Sequence, residues 1–322
     1  MSPTFTIDPE RLAANRRRNR RHALTLVGAL IALTSAVGWF FAGIYGVIWI
    51  AALAGAVLTI GPRLSRRVML RVYAATPLTR EQVPLVYELL DTLRERAGLT
   101  RPVTVHYIPS HLMLAFTVGG RERVAIAVSD GLLRGLTGRE LAGVLAHEVS
   151  HVVNGDLQLM ALADVSTKIT RTMALVAMFL VAINLPAIAA GEVAVPWPPI
   201  VLLAVAPLVG LLLQLGLSRS REYNADTGAA LLTGDPEALA TALEKLDAHQ
   251  RRVWEAHLGR SGALVEPSLL RTHPTTADRI SHLGEVAVPH DSPVTGPVDA
   301  EPPPGVEPPA ERPRRRVHGF RY

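Results

Sequence analysis

Hydrophobic residues in this chain fall into two patterns, long uncharged blocks and short periodic stretches. The first block, Ala23 to Pro62, contains no charged residue. It is too long for one membrane span and suits two spans of about 18 residues each. Its middle holds Trp39, Phe40, Phe41, Gly43 and Tyr45, and aromatics favour the membrane interface. The pattern predicts a hairpin at 23–62 that turns there. The second block comprises Thr172 to Gly191 and Val193 to Ser218, interrupted by Glu192 beside Pro196, Pro198 and Pro199. It predicts a second membrane hairpin at 172–218. A pair of buried core helices is the alternative reading, which the length rule disfavours. Pro186 and Pro207 leave room for kinked segments.

Between and after these blocks the pattern is that of a water-soluble domain. Val83, Val86, Leu90 and Leu93 recur at helical spacing, predicting a helix over 77–99 with Gly98 as its stop. Pro102 to Ile108 is β-branched and alternating, and reads as a strand. Leu112 to Val118 and Arg123 to Val128 read as two more strands, with Gly119 and Gly120 as the hairpin turn. Thr137 and Glu140 fit a capping box, which starts a helix running to about Asn154. Residues 219–251 are again helical, with a fresh start at Asp235-Pro236-Glu237, and 274–284 form a short last helix. The expected fold is mainly α with a small β-sheet: a multi-pass membrane protein of about four membrane helices. Its parts are a mobile basic arm (1–22), the first hairpin, a soluble catalytic domain (63–285) interrupted by the second hairpin, and a Pro-rich disordered basic tail (286–322).

Composition agrees with a membrane protein. Hydrophobic residues make up 49% of the 322, concentrated in the uncharged blocks, and the net charge is +5. Much of that charge lies at Arg11, Arg16, Arg17, Arg18, Arg20 and Arg21, and at Arg63, Arg66, Arg67 and Arg71. Both clusters flank an apolar block, so they read as topogenic charge beside anionic lipid rather than as a nucleic-acid surface. No nucleic-acid partner is expected, since no nucleic-acid motif accompanies the charge. Lys168 and Arg171 precede the second hairpin and Arg219 and Arg221 follow it. The positive-inside rule then puts both termini and the soluble domain in the cytoplasm. A cleavable signal peptide is not expected, because the first apolar block is far longer than a signal core. The chain has no cysteine, which excludes disulfides, thiolate metal sites and a thiol nucleophile.

The chemistry is concentrated in HEVSH, His147 to His151. Two histidines four apart on a helix share one face, so both imidazoles can reach one cation, and imidazole suits Zn²⁺. Glu148 lies one step round from His147, placed to take the proton of a water that the metal acidifies. Leu141, Val144, Leu145 and Val152 form the apolar back of this helix, and Gly143 leaves room on the metal face for substrate or another helix. A catalytic zinc needs a third protein ligand, and no third His follows at metzincin spacing. Glu222 in SRSREYNAD is the best candidate, with Asp226 one turn on to fix an imidazole tautomer. On spacing alone the two carboxylates read equally well as a solvated, Arg-rich helix start.

HEVSHVVNGD followed by SREYNAD resembles the membrane peptidase family that contains HtpX and the CAAX prenyl endoproteases. In that family two membrane spans typically separate the HExxH helix from the glutamate helix, as the two apolar stretches do here. The resemblance covers roughly residues 20–285 and implies a zincin-type (gluzincin-like) endopeptidase. It implies His147, His151 and Glu222 as ligands of one zinc, Glu148 as general base and Asp226 as the family's second carboxylate. HPTTADRI resembles a further family element, which implies His273 and Arg279 near the metal as oxyanion stabilisers. LAFTVGG resembles the family's substrate-side strand, implying Leu114, Ala115, Phe116 and Thr117 as substrate-binding. Leu114 departs from the asparagine usual in HtpX-like members. The N-terminal hairpin favours the HtpX-like branch.

The expected function is therefore zinc-dependent endoproteolysis of membrane or membrane-proximal proteins at the lipid bilayer. Prenyl-peptide processing is one alternative. A zinc-binding membrane scaffold without turnover is another, but it leaves Glu148 without a purpose.

Overall fold

A computed structural model describes residues 9–100, 102–120, 123–191, 197–258 and 274–286. The expected Pro-rich tail beyond 286 and His273 lie outside them. Among the described residues, four helices are long and apolar enough to cross a membrane. The first two are the limbs of α1 (Pro9–Val72), broken at Ala42 and Gly43, where the backbone leaves helical angles and Gly43 takes φ 57°. This is the turn expected among the aromatics. The limbs approach so closely that a Cβ on Gly46 would overlap the Gly38 carbonyl. Residues 9–22 were expected to be mobile, but they continue the first limb as helix. The basic run contains neither proline nor glycine after Pro9 to end it.

The soluble part opens with β1 (Thr76–Leu78), then α2 (Pro84–Arg96). The expected helix over 77–99 is thus shorter at its start. Thr76 to Leu78 pairs antiparallel with β2 (Val103–Ile108), and the helix begins only at Pro84, whose fixed φ suits a first helical position. β3 (Ala115–Gly120) and β4 (Arg123–Ser129) complete a sheet of order β1-β2-β4-β3, with β2 and β4 parallel and β3 antiparallel at the edge. The two glycines expected to form the turn instead end β3, where Gly119 pairs with Val124 and Gly120 with Arg123. The strand also starts at Ala115 rather than Leu112.

A short helix that the hydrophobic pattern did not mark, α3 (Asp130–Gly135), leads into α4 (Gly138–Asn154). The α4 start is the capping box: Thr137 accepts from the Glu140 amide, and Glu140 accepts from the Thr137 amide at 2.8 Å. α5 (Asp156–Ala189) and α6 (Trp197–Thr233) are the other two long apolar helices. Both run unbroken past their uncharged stretches into the soluble part, so each delivers its polar end directly beneath the membrane region. α7 (Pro236–Leu258) and α8 (Thr276–Gly284) finish the described chain.

Two kinds of core hold this together. Val105, Tyr107, Val124, Ile126 and Val128 on one sheet face pack against Leu89, Leu90 and Leu93 of α2 and Leu141, Leu145 and Val149 of α4. In the membrane part, Val27 and Leu30 of the first limb of α1 pack against Leu162 of α5 and Leu217 of α6. Trp39, Tyr45, Trp49, Phe179 and Leu208 are exposed. An exposed apolar belt of this kind suits hydrocarbon rather than water.

Candidate metal centre

Three helices bring the expected site residues together. His147, Glu148 and His151 project from α4, Glu222 and Asp226 from the polar end of α6, and Arg279 from α8. α6 can approach α4 because Gly228 faces Ser150, where a Cβ would come within 2.6 Å of the hydroxyl oxygen. Gly143, read as leaving room on the metal face, admits a helix: its neighbour is the backbone of Leu239 in α7. α8 is seated by Leu283, which is buried in the core, and its first turn is capped by Thr275.

The three potential ligand atoms converge. His147 Nε2 and His151 Nε2 are 3.1 Å apart, and the Glu222 carboxylate lies 3.5 Å from the first and 3.9 Å from the second. Each imidazole is fixed from behind. His147 Nδ1 is 2.9 Å from Asp226 Oδ1, and His151 Nδ1 is 2.7 Å from Asp156 Oδ2. Both Nδ1–H groups therefore donate to buried carboxylates, which leaves both Nε2 lone pairs aimed at the same point. Two lone pairs and a carboxylate facing one another repel unless a cation stands among them.

The wider charge balance has the same sign. Four buried carboxylates, Glu148, Asp156, Glu222 and Asp226, face two guanidiniums, Arg221 and Arg279. With both imidazoles neutral, as metal ligation requires, the excess is two negative charges, which one divalent cation neutralises. Burial pushes the His147 pKa down, but the Asp226 and Glu222 carboxylates more than reverse it and lift it to about 9. The residues present fit a divalent metal ion.

Behind the imidazoles stand two parallel relays. Arg279 donates from Nε and Nη2 to both oxygens of Asp226, at 2.8 and 2.6 Å, while its Nη1 lies 3.5 Å from Glu222 Oε2. Burial disfavours the Arg279 cation, but Asp226 and the other carboxylates outweigh it and hold the pKa above the usual value. On the other side Arg221 Nε lies 3.2 Å from Asp156 Oδ1. Neither Asp156 nor Arg221 is a site residue by sequence, where Arg221 reads only as a basic flank of the second hairpin. The usable signal was the carboxylate of NGD: Gly155 takes φ 72° at the end of α4, and this turn folds Asp156 back onto His151.

The substrate-strand candidates lie at the β3 edge of the sheet, beside α4, and among the described residues no further strand pairs with that edge. Leu114 precedes β3 and is held by Ser129, whose hydroxyl accepts its N–H and whose N–H donates to its carbonyl. Phe116 packs against Tyr73 just past the end of α1, with ring centroids 4.9 Å apart and the planes tilted by 49°. Thr117 is buried, and its hydroxyl donates to Glu148 Oε2 at 2.6 Å.

Comparison with known proteins agrees with this geometry. The profile described as Peptidase family M48 matches residues 84–287. A protein named Protease HtpX homolog from Paraburkholderia phytofirmans is 31% identical over 81% of this chain and 95% of its own length. Another of that name, from Campylobacter concisus, is 33% identical over 80% of this chain and 93% of its own. Among solved structures, S. mikatae Ste24p aligns with TM-score 0.43 and 18% identity over 81% of this chain, which spans 63% of that one. A family profile that covers the HEVSH helix and every other described metal-site residue, and relatives matched almost from end to end, leave one assignment: this chain belongs to peptidase family M48 and is a multi-pass membrane metallopeptidase.

Proposed function

We propose that the metal is zinc, one ion per chain, held by His147, His151 and Glu222. The observation that carries this is the convergence of their three ligand atoms. Ligands at about 2.1 Å on a tetrahedral ion stand about 3.4 Å apart, close to the 3.1 Å between the two Nε2 atoms and the 3.5 Å from His147 Nε2 to Glu222 Oε2, while Glu222 Oε1 lies 3.9 Å from His151 Nε2. Two imidazoles and a carboxylate, with a fourth position left open, are also the donor set of catalytic zinc. When bound, zinc would polarise the scissile carbonyl and acidify the attacking water.

The chain's own residues supply the rest. Glu148 accepts the proton of the water that attacks the peptide carbon, then delivers it to the departing amine nitrogen as the C–N bond breaks. Asp226 and Asp156 keep the two imidazoles in the tautomer that offers Nε2. Arg279, held in place by Asp226, carries positive charge toward the oxygen on which negative charge develops. His273 is assigned to that same role through the family resemblance. An extended substrate pairs with the open edge at Leu114 to Thr117, which supports broad side-chain tolerance and a preference for unfolded segments.

The substrates we propose are membrane and membrane-proximal proteins, because α5 and α6 link the site directly to the apolar belt. The arginine pattern around both hairpins supports a cytoplasmic site. The test is metal analysis and peptidase assay of the purified full chain in proteoliposomes. One zinc per chain, with turnover in the native protein and none in Glu148→Gln, is expected. Full zinc occupancy in Glu222→Ala would remove Glu222 from the ligand set.

A further inference from the structure

Thr117 occupies an unusual place between substrate edge and general base. In β3 the Ser129 N–H donates to the Leu114 carbonyl, and the antiparallel register pairs Phe116 with Ala127 and Val118 with Ala125. Hydrogen-bonded pairs alternate along an antiparallel ladder, so Leu114, Phe116 and Val118 turn their backbone groups toward β4. The backbone of Ala115 and Thr117 therefore faces the open edge. The Thr117 side chain stands perpendicular to that edge, buried, with its hydroxyl 2.6 Å from Glu148 Oε2.

We propose that Thr117 is a positioning residue for Glu148, tying the strand that receives substrate to the carboxylate that moves the proton. A glutamate has three rotatable bonds, and a carboxylate without a fixed partner samples several rotamers. Threonine is stiff at χ1, so the hydroxyl is a fixed anchor. A hydroxyl donating to a charged acceptor makes one of the stronger protein hydrogen bonds. It engages Oε2 and leaves Oε1 to take the proton. A peptide paired along the edge would bond to the backbone of this same residue, so the register of the substrate and the position of the base share one anchor. This rests on the general-base reading of Glu148.

The test compares Thr117→Val and Thr117→Ser with the native chain in proteoliposomes, on two unfolded substrates of unrelated sequence. Valine keeps the shape and the β-branch and removes the hydroxyl; serine keeps the hydroxyl. In Thr117→Val, kcat is expected to fall roughly ten- to a hundredfold, the range of a hydrogen bond to a charged group. KM and zinc content should stay within about twofold and the factor should be the same on both substrates, because the lost contact is to Glu148 and not to the peptide. Thr117→Ser should retain kcat within about threefold. If Thr117→Val fails to hold zinc or to fold, Thr117→Ala carries the same expectation. Native kcat in the hydroxyl-free variant overturns the proposal. So does a serine variant as impaired as valine, or a loss confined to KM. Turnover in Glu148→Gln overturns the general-base reading itself, and the positioning role with it. That outcome is distinct from native turnover in Thr117→Val alone.

Discussion

Asp156 stands directly behind His151, its Oδ2 2.7 Å from the ring Nδ1, although it belongs to the next helix. The contact exists because α4 and α5 are joined by the single residue Gly155, in a left-handed conformation that side-chain-bearing residues adopt only at a cost of about 1–2 kcal/mol. Asp156 thus does for His151 what Asp226 does for His147. Outer partners of metal-bound histidines typically contribute ten- to a hundredfold in metal affinity. Asp156→Ala is expected to weaken zinc binding by about that factor, read by competition with a chelator, while His151→Ala removes it. Native affinity in Asp156→Ala would mean that the imidazole is held by its helix alone.

Glu148 is adjacent to His147 but stands outside the proposed ligand set, so its removal should separate binding from chemistry. Glu148→Gln is expected to keep one zinc per chain and to lose about 10²–10⁴ in turnover, the usual worth of general acid–base catalysis. The amide retains the shape and can still meet the Thr117 hydroxyl, but it cannot take a proton. Turnover within about tenfold of native would dismiss the carboxylate as the base.

Arg279 has two of its nitrogens on Asp226 and the third near Glu222. Lysine at this position keeps one positive charge but cannot form the two-point contact. In Arg279→Lys, measured at saturating zinc, turnover should fall while metal content holds, as expected of a group that acts on developing charge. Loss of zinc under saturation would instead assign Arg279 to holding Asp226 and nothing more.

What could be read from sequence divides by distance along the chain. His147, Glu148 and His151 are one helical turn, so spacing alone puts them on one face. Glu222 is separated from them by two membrane helices: the need for a third ligand makes it a candidate, spacing alone leaves it level with a solvated helix start, and resemblance to a known motif decides between them. Asp156 is local, yet it was overlooked because its position depends on the backbone angle of Gly155 rather than on a period. The Thr117–Glu148 contact depends on where an edge strand settles against a helix, which no local pattern encodes. The apolar blocks announced four spans, but not that α5 and α6 continue as helix into the site. Helical periodicity does not mark the depth at which a helix leaves the membrane. β1 was missed for a similar reason: three residues that include Pro77 carry little strand signal, and pairing with β2 makes the element.

The orientation we propose in the membrane rests on charge. Arg66, Arg67 and Arg71 stand near the end of the second limb of α1, Arg21 near the start of the first, and Lys168, Arg171, Arg219 and Arg221 flank the uncharged stretches of α5 and α6. All lie at the same end of the four helices as the metal centre, and the positive-inside rule assigns that end to the cytoplasm. A reporter active only in the cytoplasm, fused after Tyr322, is expected to be active. Activity of a reporter that works only outside the cytoplasm would reverse the topology.

The open edge of β3 makes the sharpest prediction about substrate. Thr117 is a poor place to probe it, because any change there also removes the hydroxyl that meets Glu148. Ala115 is better placed: its backbone faces outward by the register, and its pairing partner across the ladder, Val128, is not hydrogen-bonded to it. Proline at Ala115 removes one outward N–H and nothing else from the sheet, and edge strands tolerate proline for that reason. If substrate adds as a strand, Ala115→Pro should lower kcat/KM on an unfolded substrate by at least about tenfold, as expected for a lost backbone hydrogen bond in a site that excludes water. Ala115→Ser, which keeps the N–H, should remain near native, and both variants should retain zinc. Equal kcat/KM in the two variants would show that the peptide lies elsewhere along α4, and that β3 serves only to carry Thr117 to the base.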